Sequence, residues 1–124
     1  MANEITVTAS LRCENGYLDI MREVAGAQFA QTTLAYNAGT QTIGFAAAEA
    51  ITLTNITTPG WAWFRNCDTT NFVTLGDITT GTLTPFAKLQ AGEAAVIPLG
   101  CAHDHLGAQA DTGAVKLEFI VLER

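Results

Sequence analysis

Ile5, Val7, Ala9, Leu11 and Cys13 alternate with Glu4, Thr6, Thr8, Ser10 and Arg12 along the first residues of the chain. A period of two puts the two sets on opposite faces of an extended strand, one dry and one wet. Asn15-Gly16 follows, a dipeptide suited to the positive φ angles of a type I′ hairpin turn. Tyr17 to Val24 then resumes an extended pattern with Leu18 and Ile20 on one face. Residues 3–24 therefore predict a β-hairpin.

Further along, Gln28 to Tyr36 carries Phe29, two threonines and Leu34, a strand-favouring composition closed by Asn37-Ala38-Gly39 as a turn. Phe45 to Ala50 has helical propensity over little more than a turn. Ile51 and Leu53 against Thr52 and Thr54 restore alternation. After the Pro59-Gly60 turn, Trp61-Ala62-Trp63-Phe64 is apolar on both faces, the pattern of a strand covered on each side. Arg65 to Asn71 is a polar turn-forming cluster. Phe72 to Leu75 reads as a short strand, residues 79–84 as a loop ended by Pro85, and Phe86 to Leu89 as another short strand. Ala94 to Leu99 is extended, with Pro98 marking an edge or a strand end. Gly100 to Gly113 follows neither period and is expected as a long excursion. In the last segment Val115, Leu117, Phe119 and Val121 face one way and Lys116, Glu118 and Arg124 the other.

Strand signals recur roughly every ten residues, and no repeat or linker interrupts the chain. The expected fold is all-β: a single-domain antiparallel β-sandwich over residues 1–124, jelly-roll-like, with about 8–10 strands and little or no helix. Composition narrows the function classes. Of 124 residues, 48% are hydrophobic and 15% charged, too apolar for a disordered tail. Twelve acids against six bases give a net charge of -6, which repels phosphate backbones and argues against nucleic acid as a partner. No basic and apolar leader opens the chain, and no run approaches the ~18 apolar residues of a spanning helix, so neither secretion nor a membrane is expected. The three cysteines, Cys13, Cys67 and Cys101, are odd in number and widely spaced. They read as reduced, small hydrophobic residues rather than a disulfide framework.

Candidate chemistry is sparse. On a strand, Cys101, His103 and His105 would point the same way, so a thiolate and two imidazoles could converge on a metal. The His-x-His pair on a β-sandwich is similar to the cupin metal motif. The glycine and glutamate that frame that motif are missing: Gly100 lies too close to His103, and positions 108–110 are Ala, Gln and Ala. A polar loop whose histidines bond neighbouring backbone is the simpler reading, and no cofactor is expected. The lone serine, Ser10, sits on a wet strand face without a nucleophile elbow. A Cys67 dyad with His103 or His105 lacks an activating setting, the acids are scattered, and an enzyme is not expected. Contact surface is better represented. Ile120 and Leu122 occupy the face that Lys116 and Glu118 make polar, so either residues 100–113 or a second subunit must cover them. Trp61 and Trp63 share one face, as core residues or as interface anchors, and with sufficient exposure would also suit a carbohydrate-binding platform.

Two stretches carry a resemblance. Residues 64–76, Phe-Arg-Asn-Cys-Asp-Thr-Thr-Asn-Phe-Val-Thr-Leu-Gly, resemble an R-N-x-D-x-T-N-x-V-x-L-G segment of small tailed-bacteriophage virion proteins. Residues 85–99, with Phe86, Lys88, Leu89, Gly92 and Glu93, are similar to its F-x-K-L-x-x-G-E continuation, and 114–123 to the closing strand. The resemblance covers about half the chain, residues 60–124. It implies a non-enzymatic capsid decoration or cement protein that forms a homo-oligomer and binds the major capsid protein in the virion. The alternatives are a tail or fibre accessory protein, and a cupin-like metal or ligand module using His103 and His105. The resemblance transfers no catalytic residues. The 100–113 excursion and Cys67 depart from its pattern.

Overall fold

The computed structural model describes residues 4–31 and 34–123. These hold ten strands and no helix: β1 (Ile5–Asn15), β2 (Leu18–Phe29), β3 (Tyr36–Ile43), β4 (Glu49–Ala50), β5 (Pro59–Asn66), β6 (Val73–Thr79), β7 (Thr82–Leu89), β8 (Ala94–Pro98), β9 (Leu106–Ala110) and β10 (Val115–Glu123). All pairings are antiparallel. The chain divides into two compact units, Met1–Thr33 and Leu34–Arg124. The sandwich expected over the whole length lies in the second unit. The hairpin expected as its first two strands is a separate two-stranded sheet.

In the second unit β3 pairs with β10, β4 with β9, β5 with β8 and β6 with β7. Four consecutive strands thus run against the next four in reverse order, as one long antiparallel ribbon. Two further pairings, β10 with β5 and β9 with β6, roll that ribbon into sheets of order β3-β10-β5-β8 and β4-β9-β6-β7. This is the jelly-roll topology of two four-stranded sheets. The facing sides supply the core: Ile43, Phe64, Val115, Leu117 and Val121 from the first sheet, and Val73, Leu75, Leu106 and Ala108 from the second. Each of these is at most 0% exposed to solvent, which is why alternation in β10 was so clear.

Several elements depart from the expected ones. Asn37, Ala38 and Gly39 do not turn; they lie in β3 opposite Val121, Ile120 and Phe119, because pairing with β10 overrides their weak strand propensity. Ile51 and Leu53 are buried as the alternation suggests, and Ile56 is buried as well, yet residues 51–58 form no ladder. Side chains serve their amides instead: Gln41 Oε1 accepts from Thr52 N, Asn37 Oδ1 from Asn55 N, and the Glu123 carboxylate from Thr57 N and Thr58 N. The excursion over 100–113 contains β9, which is buried in the second sheet between β4 and β6. Arg124 falls outside the described residues.

The loop expected over 79–84 is a two-residue turn. Thr79 pairs with Thr82, and both central residues, Thr80 (φ 52°) and Gly81 (φ 80°), take positive φ as a type I′ turn requires. A β-branched residue is strained there. Thr80→Asn is expected to stabilise the fold by about 1 kcal/mol, or about 4–8 °C in Tm for a unit of this size. An unchanged melting curve would mean that Thr80 carries no such strain.

The first unit is a ribbon with a definite chemistry. Its turn centres on Gly16-Tyr17 rather than on Asn15-Gly16, since Asn15 pairs with Leu18 and Gly16 alone takes positive φ (58°), the pattern of a type II′ turn. Further from the turn, Ala25-Gly26 opposes Thr8 as a bulge, with Gly26 at φ 64° and its amide donating to Thr8 Oγ1 at 3.0 Å. The bulge keeps the two strands in phase. Ile5, Val7, Ala9, Leu11 and Cys13 therefore share a face with Phe29, Ala27, Val24, Arg22 and Ile20. That face is apolar apart from Arg22, and the opposite one carries Ser10, Arg12, Glu14, Asp19 and Glu23. Ile5 and Val7 are buried, whereas Leu11, Leu18, Ile20 and Val24 are 42–69% exposed.

Candidate functional site

The outer face of the β3-β10-β5-β8 sheet collects the residues that the sequence singled out for contact. Ile120 pairs with Trp63 of β5 on one side and Ala38 of β3 on the other, and Trp63 pairs in turn with Val96 of β8. Directly paired residues share a face, so Ala38, Ile120, Trp63 and Val96 form one apolar row across four strands. A neighbouring row holds Tyr36 opposite Leu122, and Trp61 opposite Pro98. On its other side the patch ends at Thr40, Glu118, Arg65 and Ala94, a mostly polar row. Tyr36 is 56% exposed, Ile120 40% and Val96 37%, while Trp61, Trp63 and Leu122 are half-buried.

Trp63 is held in place by its polar edge: Nε1–H donates to Glu118 Oε1 at 2.9 Å. The indole thus lies fixed across the border between the apolar and polar rows. A rigid aromatic residue with a satisfied polar end loses little entropy on docking, which is what makes tryptophan effective in contact surfaces. The inward neighbours Ala62 and Phe64 fill the core, so β5 is buried on one side and presents its tryptophans on the other. Cover of Ile120 and Leu122 by residues 100–113 is ruled out for β9, because it belongs to the opposite sheet.

The histidine segment is arranged differently from the strand geometry that would align it. Residues 103–105 form a turn, closed by His105 N donating to Ala102 O at 3.0 Å. His105 O accepts from Ile78 N at 2.6 Å, and its Nδ1 lies 3.5 Å from Asp77 Oδ1. Cys101, His103 and His105 are therefore not on one strand face. Among the described residues no group of three His, Cys, Asp or Glu side chains is placed to hold a metal ion. The Cys101 thiol is pushed up from its ordinary pKa by burial and by the nearby Asp77 carboxylate, away from the thiolate form. Cys67 follows the end of β5 that pairs with the start of β8, and the histidines follow the far end of β8, so no Cys67–His dyad forms.

The residues of the R-N-x-D-x-T-N segment have structural occupations. Asn66 is fully buried, with Nδ2 donating to Asn71 O (2.9 Å) and Leu89 O (3.1 Å) and Oδ1 accepting from Asp68 N (2.9 Å). The Asp68 carboxylate accepts from Thr70 N at 3.0 Å and Asn71 N at 2.6 Å. Gly76 lies where any Cβ would strike the Thr84 carbonyl. In the continuation, Lys88 Nζ stands 3.9 Å above the Phe72 ring, and Glu93 Oε1 caps the turn by accepting from Gln90 N at 2.6 Å.

Asp68 gives this loop a pH dependence. The Asn71 and then the Thr70 amide hold its pKa below the ordinary 3.8. A depressed folded-state pKa contributes stability that is present above the unfolded value and lost as pH falls through the folded one. Acid unfolding is therefore expected to steepen below pH 3.8, and Asp68→Asn to flatten that limb. Identical acid limbs in both proteins would contradict it. No protein-family model, no curated protein and no solved structure matches the chain, so its functional reading rests on this geometry and on the residue pattern.

Proposed function

We propose that the chain is a non-enzymatic structural protein of a tailed-phage virion, a decoration or cement piece that binds the major capsid protein and stabilises the head. The observation that carries this reading is the aromatic patch on the outer sheet face. It is built on four paired strands, edged by a mostly polar row, and anchored by Trp63. Contiguous exposed apolar surface of this kind marks contact with another macromolecule. The R-N-x-D-x-T-N and F-x-K-L-x-x-G-E resemblance supplies the class of partner, a capsid protein, and its residues shape the loops that hold the sandwich together.

A part of this kind works by area repeated under symmetry. It needs a rigid sheet, a fixed face and a protein partner, all of which suit an acidic jelly roll. Quantitative mass spectrometry of purified virions tests the reading. The chain is expected at a fixed copy number in simple ratio to the major capsid protein. Its absence from particles that contain every other structural protein would overturn the proposal.

A further inference from the structure

We infer that the β1–β2 ribbon of one copy docks into the apolar seam between β7 and β8 of a second copy, with Arg22 meeting Asp77. Two features independent of the aromatic patch lead to this. The first is the ribbon itself. A two-stranded hairpin is marginal alone in water, yet this one carries a face that is apolar but for Arg22, and its outer half, Leu11 to Val24, is solvent-exposed. The second is the seam. β7 and β8 are edge strands of the two sheets, and between them lies a groove of about 480 Å³ lined by Phe86, Ala87, Ile97, Leu99, Cys101 and Asp77 among others.

Charge decides between the possible occupants. The apolar face of the ribbon has a single charged residue, Arg22, and the lining of the groove has a single charged residue, Asp77. Stacking two ribbons face to face about a two-fold axis would be the simpler way to cover them. Arg22 lies near the middle of the face, however, so the axis would bring two guanidiniums close together with no carboxylate on either face. The groove offers what the second ribbon lacks. Asp77 Oδ1 accepts from Thr79 Oγ1 at 3.0 Å, which fixes the carboxylate beside the apolar lining.

The groove takes side chains rather than an added strand. Pro85 interrupts the ladder of β7, the Pro85-Phe86 bulge distorts that edge, Lys88 lies on it, and β8 ends at Pro98. The contact joins two different surfaces, so it is head-to-tail and closes as a ring or continues as a chain. It concerns association of the purified protein with itself. It therefore stands or falls separately from the virion reading.

Light scattering across a concentration series, combined with charge reversal, tests the inference. The protein is expected to self-associate, Arg22→Glu and Asp77→Arg each to weaken this by about tenfold or more, and the double reversal to restore it. Cross-linking supplies a second measurement, since Cys13 lies on the ribbon face and Cys101 in the groove. In a Cys67→Ser background at mildly alkaline pH, a short bis-maleimide is expected to join Cys13 of one copy to Cys101 of the next. Strict monomers, Cys13–Cys13 links, links confined to one chain, or a double reversal that fails to restore association would each overturn the inference.

Discussion

Asn66→Asp is expected to destabilise the sandwich by about 3–5 kcal/mol at neutral pH, which is the cost of leaving a buried charge without its partner. The side chain is completely enclosed, and its Nδ2 group donates to two carbonyl oxygens, those of Asn71 and Leu89. Aspartate has nearly the same shape but puts a carboxylate oxygen against both carbonyls. Only the bond accepted from Asp68 N survives. Against a total stability of about 5–15 kcal/mol, a loss of this size is about a fifth or more of the whole.

The pH dependence of that variant separates charge from shape. Burial and two facing carbonyls raise the folded-state pKa of the new carboxyl group. A raised folded pKa means that the protonated form is favoured by folding, so the deficit is smallest in acid and grows as pH rises from the unfolded value through the folded one. Denaturant midpoints at acid and neutral pH are expected to diverge between Asn66→Asp and the parent. Asn66→Leu, which loses the same donors without adding charge, should show no such divergence. Parallel pH profiles for both variants would mean that the surroundings of Asn66 do not exclude water as its complete burial indicates.

The second large effect is on assembly. Ile120→Glu and Ile120→Lys place a charge in the middle of the apolar row, between Ala38 and Trp63. Ile120 is 40% exposed, so neither variant should cost the fold much. At the centre of a docking surface, loss of an anchor and desolvation of a charge together cost about 2 kcal/mol or more, or about 30-fold in affinity. Both signs of charge are expected to act alike, which points to lost apolar contact instead of a misplaced ion pair. Self-association through the ribbon and seam should be unaffected, because Ile120 lies on neither.

Ile120 and Leu122 were legible as apolar residues on the outer sheet face because they break the polar sequence set by Lys116 and Glu118 on one strand. Tyr36, Ala38 and Val96 were not, because they join the patch through pairing between strands distant in the chain. The same contrast holds for the fold. β1 and β10 alternate cleanly, since each separates an apolar face from a polar one. β9 shows no period because four of its five residues are buried, on both faces of an interior strand. Its Gly107 sits opposite Gly76, where a side chain would collide with Ile78. Pro85 read as a terminator yet lies within β7, where an edge position and a bulge accommodate it. In the 101–105 segment a polar loop was the simpler reading, and the backbone bonds of His105 to Ala102 and Ile78 go with a turn at 103–105 that keeps Cys101, His103 and His105 off a common strand face. The N-terminal hairpin was predicted from alternation, but alternation cannot say that the outer half of its dry face, Leu11 to Val24, stays exposed.

On the reading proposed above, this jelly roll works by docking its outer sheet face on a virion. Copy number in purified particles, compared between the parent and Ile120→Glu, tests it most directly. The parent chain is expected in fixed ratio to the major capsid protein, and the variant, folded in solution, to be largely missing from the particles. Full occupancy by the variant would contradict the claim.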